Sequence, residues 1–170
     1  NVMRGYFGDP ETTAEVLTED GWLDTGDIGY RIGDHIVITA RKKDVIIVNG
    51  RNLWPQDLEH IAESLPEVRA GDAVAFSAPD HEGEEQCVLL VQCRETDPNK
   101  RHSLVQRLTA LLRKEMNLDC LVELVPIHSL PRTSSGKLSR AKARLDFIAT
   151  HDADSLDAFV EEARLRVASA

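Results

Sequence analysis

The segment Leu130-Pro131-Arg132-Thr133-Ser134-Ser135-Gly136-Lys137-Leu138 places a Gly-Lys pair after a run of small hydroxyl residues. Hydroxyls and backbone N–H groups on such a loop suit a phosphate. A lysine there is a flexible point charge with three donors. That charge suits a transition state in which negative charge builds between a phosphate and a carboxylate. The segment is not a G-x-x-x-x-G-K-[ST] loop, because the first glycine would fall at Pro131 and Leu138 follows the lysine. Taken alone, a Gly-Lys pair is more often an exposed lysine in a surface loop. A second candidate is Trp22-Leu23-Asp24-Thr25-Gly26-Asp27. Asp27, at the entry to a strand, can accept two hydrogen bonds from vicinal hydroxyls such as those of a ribose, or it can be an ordinary turn aspartate. The third is Arg41-Lys42-Lys43-Asp44, ahead of a β-branched run. Arg41 has the geometry to pair with phosphate, or it is a strand-end charge with its stem packed on apolar surface.

These residues lie in a 170-residue chain that is 42% hydrophobic and 29% charged. That is one ordinary domain, or a small domain with pieces of a neighbour, with enough apolar residues for a core. The longest apolar run, Cys87–Val91, has five residues, so no transmembrane helix is expected. No basic-then-apolar signal segment opens the chain. It begins at Asn1 and reads as a piece of a longer protein. Cys87, Cys93 and Cys120 have no metal-ligand spacing, and reduced thiols in a cytoplasmic protein with no metal site are expected. The net charge of −9 argues against a nucleic-acid partner, which needs a basic face.

The charge is uneven. Residues 1–39 carry two basic residues against eight acidic, and residues 52–130 seven against fourteen. Two short stretches run the other way. Arg41, Lys42, Lys43 and Arg51 oppose only Asp44, and Arg132, Lys137, Arg140, Lys142 and Arg144 have no acid among them. Basic islands in an acidic chain point to a local anionic ligand rather than a polyanion, or to a solvated face.

The elements that must position these groups are legible from spacing. Pro10 to Leu17 reads as a helix start. Gly29 to Thr39 reads as a hairpin turning at Gly33-Asp34, and Val45–Val48 as a strand followed by the strong turn signal Asn49-Gly50. Pro55 opens a helix with Leu58, Ile61, Ala62 and Leu65 on one face. Strands are expected at Asp72–Ser77, Gln86–Arg94 and Leu121–Ile127. A turn is expected at Asp97-Pro98, a helix over Ser103–Met116, and a helical turn at Lys142–Ile148. Asp152–Val167 also has helical spacing. The expected fold is α+β: a small domain with a few-stranded sheet flanked by helices.

Singly these signals are weak; their order is specific. Gly5–Thr13, Trp22–Asp27, Arg41–Gly50 and Pro131–Lys137 resemble, in sequence, the closing motifs of the adenylate-forming superfamily, which holds acyl-CoA synthetases, non-ribosomal peptide adenylation domains, luciferases and fatty acyl-AMP ligases. Gly50-Arg51-Asn52-Leu53-Trp54-Pro55-Gln56-Asp57-Leu58-Glu59 looks most like the fatty acyl-AMP ligase branch. The resemblance implies residues 1–42 as the end of a large AMP-binding domain and 43–148 as a small mobile C-terminal domain; residues 149–170, mostly beyond the resemblance, are expected to be a C-terminal helix or tail. It implies Lys137 as the adenylation lysine, Asp27 and Arg41 as ribose and phosphate contacts, Lys43 as the hinge, and Gly50 and Arg51 on the face that meets the acceptor thiol. Ala40 stands where the family usually has glycine. The activity implied is ATP-dependent activation of a carboxylic acid, expected to be a fatty acid, as acyl-AMP. The acyl group then passes to the phosphopantetheine thiol of an acyl carrier protein, or alternatively to CoA. Mg²⁺ would bind in the large domain, and this piece alone would be inactive. A non-catalytic module that recruits a carrier protein is the remaining alternative.

Overall fold

In the computed structural model, which describes residues 3–80 and 82–151, the chain divides into two compact units, Asn1–Lys43 and Asp44–Ala170. The architecture is α+β.

The first unit holds α1 (Pro10–Val16) and an antiparallel hairpin of β1 (Asp27–Ile32) and β2 (His35–Arg41). Asp9 caps α1 by accepting the Thr12 N–H at 3.0 Å, and Pro10 fills the first turn, where its missing N–H costs nothing. The hairpin turns at Gly33-Asp34 as expected. It runs two residues further at each end than the Gly29–Thr39 expectation, so that Asp27 lies opposite Arg41.

The second unit begins with a short hairpin, β3 (Ile46–Val48) and β4 (Arg51–Leu53). Asn49 and Gly50 both take positive φ, 52° and 71°, the backbone that a two-residue turn with strand-matching twist demands. Next come α2 (Pro55–Glu63), β5 (Ala73–Pro79), β6 (Glu85–Gln92), α3 (Pro98–Met116), β7 (Cys120–Val125) and α4 (Arg140–Thr150). Three elements differ from expectation. β4 pairs with β3 where only a turn ahead of the helix was expected. Asp97-Pro98 starts α3 rather than a free turn: the Asp97 carboxylate accepts from the N–H groups of Asn99 and Lys100, and Pro98 is the first helical residue. The helical turn expected at Lys142–Ile148 is an eleven-residue helix. The helical spacing at Asp152–Val167 lies outside the described residues.

The sheet has the order β5-β6-β7, antiparallel between β5 and β6 and parallel between β6 and β7. A parallel pair needs a long crossover, and α3 supplies it. Strand period two then sorts the core. Ala75, Leu89, Val91 and Val122 face one side with Leu58 and Ala62 of α2, Leu104, Leu108 and Leu112 of α3, and Ile46, Val48 and Leu53 of the β3–β4 hairpin. Val74, Phe76, Val88, Leu90 and Leu121 face the other side with Leu130 and with Ala143 and Phe147 of α4. The central strand β6 is covered on both faces, which explains why its sequence reads as a continuous apolar run rather than an alternation. All three cysteines are free and buried. Cys87 and Cys120 lie opposite each other with their sulfurs 3.4 Å apart, and that contact and burial both push the Cys120 thiol pKa up.

Leu89 is fully buried at the middle of this arrangement. Leu89→Ala should lower the unfolding free energy of the 170-residue chain by about 2–5 kcal/mol, read by urea denaturation with an unchanged slope. A loss under about 1 kcal/mol would remove Leu89 from the core.

Candidate functional site

In the first unit the structure brings Asp27 and Arg41 together. The turn ahead of Asp27 is built by its own side chains: the Asp24 Oδ1 accepts the Gly26 N–H at 2.8 Å, and the Thr25 hydroxyl accepts the Asp27 N–H at 3.2 Å. Gly26 takes φ +70°, and its carbonyl accepts the Lys42 N–H at 2.8 Å. Asp27 is thereby fixed as the first residue of β1. The Arg41 Nε donates to its Oδ1 at 3.2 Å, and the side chains remain 63% and 31% exposed for Arg41 and Asp27. A carboxylate with a free oxygen beside an open guanidinium can accept from hydroxyls while presenting a cation to a phosphate. Ala40 is buried in β2 and is not among the residues of positive φ, so the backbone there does not demand glycine. Lys43 lies in a one-turn 3-10 helix, Lys42–Asp44, and the division between the two units falls directly after it.

In the second unit Gly50 sits at the tip of the β3–β4 turn. Arg51, the next residue, is tied to the protein itself. Its guanidinium donates to the carbonyls of Met116 at 2.8 Å and Asn117 at 2.9 Å, the C-terminal end of α3. A cation there meets unsatisfied carbonyls and the negative end of the helix dipole, so Arg51 ties the Gly50 turn to α3. The sequence carried no signal for a partner 65 residues away.

Lys137 lies on a closed loop. Arg132 and Leu138 form a bridge at its base, the Thr133 N–H donates to the Lys137 carbonyl at 2.8 Å, and the Gly136 N–H donates to the Thr133 carbonyl at 2.9 Å. Gly136 takes φ +82°, a conformation that disfavours a side chain. The basic island around the loop resolves into partners. Arg132 donates to the carbonyls of Gly136 and Gly71, both at 2.9 Å. Arg140 binds Glu59 through two nitrogens, at 3.0 and 2.6 Å, and Asp44 at 3.2 Å. Burial acts to lower the Arg140 pKa, but the hydrogen bonds and charges of Glu59 and Asp44 outweigh it and hold the group protonated. Arg144 donates to the Ser77 carbonyl at 2.8 Å, and Lys142 lies 3.5 Å from Asp146. Of the five cations, Lys137 alone has an ammonium with no partner among the described residues, and it is exposed.

Glu59 escaped the sequence reading. Its signal was available: positions 55, 58, 59 and 62 form the buried stripe of α2, and a glutamate in such a stripe needs a cation. Among the described residues no group of three or more His, Cys, Asp or Glu side chains is placed to hold a metal. No described helix is long and apolar enough to cross a membrane.

No family model matches the chain. It is 51% identical over 150 residues to a Caulobacter vibrioides protein provisionally named an acyl-CoA synthetase, covering 88% of this chain and 26% of that protein. It is 36% identical over 142 residues to a medium/long-chain-fatty-acid–[acyl-carrier-protein] ligase of Mycobacterium tuberculosis, covering 82% of this chain and 26% of the ligase. A solved structure from a study of fatty acyl-adenylate ligases from E. coli and L. pneumophila superposes with a TM-score of 0.74 at 44% identity, covering 84% of this chain and 25% of that one. An ATP-bound RpMatB-BxBclM chimera superposes with a TM-score of 0.70 at 26% identity, covering 85% of this chain and 28% of that one. The chain belongs to the adenylate-forming superfamily and corresponds to its C-terminal portion. It spans about a quarter of the length of the relatives it matches.

Arg51→Ala should remove both donors from the terminal carbonyls of α3, which water can then reach, and cost about 0.5–1.5 kcal/mol in denaturant-induced unfolding, with Arg51→Lys recovering part of it. Wild-type stability in the alanine variant would show that the contact holds nothing in place.

Proposed function

We propose that this chain is the C-terminal part of a cytoplasmic, ATP-dependent acid–thiol ligase, and that Lys137 serves its first half-reaction. The observation that carries the reading is that, among the described residues, Lys137 is the one cation of its island without a partner, while the other four have one. In that step a carboxylate oxygen of the substrate attacks the α-phosphorus of ATP, and the bond to the pyrophosphate oxygen breaks. The attack brings two negative groups together and negative charge builds on the α-phosphate and departing pyrophosphate oxygens, and a mobile ammonium placed between the carboxylate and the phosphate offsets both. Asp27 would accept from the ribose hydroxyls, and Arg41 would contact ribose or phosphate. Mg²⁺ would be held by the large domain, so this chain would not complete the step alone.

In the second step a thiol attacks the carbonyl carbon of the acyl-AMP, and AMP leaves with the electron pair of the broken bond. The proposed acceptor is the phosphopantetheine thiol of an acyl carrier protein, and the acid is a fatty acid. The likeness to the carrier-protein ligase and to the fatty acyl-adenylate ligase structure supports this. The alternative is CoA, supported by the Caulobacter relative's name. Lys43 is the proposed hinge, and a rotation there would present Lys137 in one step and the Gly50 turn in the other. Incubating the complete ligase with ATP, fatty acid and either CoA or phosphopantetheinylated carrier protein distinguishes the acceptors. Hydroxylamine-trappable acyl-adenylate with no CoA thioester favours the carrier protein.

Lys137→Ala in the complete ligase should slow pyrophosphate formation by a factor of about a hundred to a thousand, the loss expected for one charge aimed at the transition state. Transfer from supplied acyl-AMP should be largely retained. Pyrophosphate formation within threefold of wild type would return Lys137 to an ordinary surface lysine. Asp27→Ala should raise the KM for ATP and lower kcat/KM, since a charged acceptor contributes about 1.5–3 kcal/mol per hydrogen bond. An unchanged ATP dependence would make Asp27 a turn residue only.

A further inference from the structure

Lys137 sits on a loop whose internal hydrogen bonds make it a small rigid piece. Where its ammonium points is therefore decided at the stem, by whatever fixes the two strands of the loop to the rest of the unit. One strand is fixed by Arg132, which reaches the Gly71 carbonyl just ahead of β5. The other runs through Ser139, whose N–H donates to the Pro131 carbonyl at 2.9 Å, into α4, which begins at Arg140.

Arg140 is an unusual residue with which to start a helix, since a cation opposes the positive end of the dipole. Its environment accounts for it. The guanidinium engages both oxygens of Glu59, whose side chain is 12% exposed, and one oxygen of Asp44, whose side chain is 24% exposed. The Glu59 Oε1 also accepts the Ala75 N–H of β5 at 3.0 Å. A guanidinium–carboxylate fork is directional in a way that apolar packing is not. It fixes the rotation of α4 and of the loop stem against α2 and β5 at once. Asp44 is the first residue of the second unit and follows Lys43 directly. The same guanidinium thus connects the loop stem to the point where the chain enters the unit.

We infer that Arg140, locked by Glu59 and Asp44, is a positioning residue for Lys137: it sets the attitude of the lysine loop, and its loss lowers adenylation through Lys137 without touching substrate. This rests on Lys137 being the adenylation lysine. A displacement of a catalytic group by about 1 Å costs on the order of a hundredfold in rate, so a loosened stem is enough to be felt kinetically.

The test is a cycle in the complete ligase, with Arg140→Gln in the wild-type and in the Lys137→Ala background, and each half-reaction measured separately. The expected result is a loss of roughly 10- to 100-fold in the kcat of pyrophosphate formation in the wild-type background. The KM for ATP and transfer from supplied acyl-AMP should stay within about threefold, and the Lys137→Ala background should show at most about threefold further loss, because residues acting as one unit are non-additive. Equal losses in both backgrounds, or losses in both half-reactions, would make Arg140 a general stability residue and overturn the inference, as would an unchanged kcat. If Arg140→Gln does not fold, Glu59→Gln takes its place: it keeps the shape and an acceptor for Ala75 but removes the charge, and the same pattern with a smaller loss is expected. Arg140→Lys, which keeps the charge and loses the fork, should fall between glutamine and wild type. A Lys137→Ala variant with adenylation within threefold of wild type would sink the reading of the site itself. That outcome is distinct from the failure of Arg140 to act through the lysine.

Discussion

The small sheet of the second unit has an unpaired edge at β5, and the unit depends on how that edge is closed. A strand edge presents N–H and C=O groups that must be satisfied or they recruit another strand. Here charged side chains from the two flanking helices close it. Glu59 of α2 accepts the Ala75 N–H, Arg144 of α4 donates to the Ser77 carbonyl, and Glu63 accepts the Gly71 N–H just before the strand. Glu59 and Arg140 then join across the edge, so that the helix on one face of the sheet is bonded to the helix on the other. Removing one partner of such a pair leaves a poorly solvated charge behind, which typically costs about 3–5 kcal/mol.

That bond has a consequence for the two segments with chemical potential. The β3–β4 hairpin carrying Gly50 is rooted by Ile46, Val48 and Leu53 in the core on one face of the sheet. The loop carrying Lys137 is flanked by Leu130 and Leu138, which belong to the core on the other face. The second unit therefore carries the two candidate segments on separate roots. The polar bond across the β5 edge keeps the two roots in fixed relation.

How much of this the sequence disclosed follows the range of the interactions. Turns set by local backbone preference, Gly33-Asp34 and Asn49-Gly50, were legible, as were strands marked by β-branched runs. The start of α3 was misread because Asp97-Pro98 has the same composition whether it ends in a turn or opens a helix; only the N–H groups of Asn99 and Lys100 decide between them. α4 was underestimated because its first turn, Arg140 to Ala143, carries two cations and reads as surface. The candidate residues Asp27, Arg41 and Lys137 were visible as motifs. The meaning of their neighbours was not. Arg51 read as part of the acceptor face and Arg132 and Arg140 as members of a basic island for an anion or a solvated face, and each has a partner 61 to 96 residues away in the chain.

The same long-range pairing decides what the basic island can do. In a chain of net charge −9, the field at a distance is repulsive to a carboxylate and to a nucleotide polyphosphate. Screening limits any one charge to about 8 Å at physiological ionic strength. Five free cations around residues 132–144 would make a diffuse anion trap with little preference for one geometry. Among the described residues four of them are bound to carbonyls and carboxylates of the chain itself, and a single ammonium on a short closed loop has no such partner. A lone mobile charge attracts ground-state anions weakly, yet it contributes strongly wherever two negative groups must be brought together. The discrimination is then a matter of position rather than of total charge.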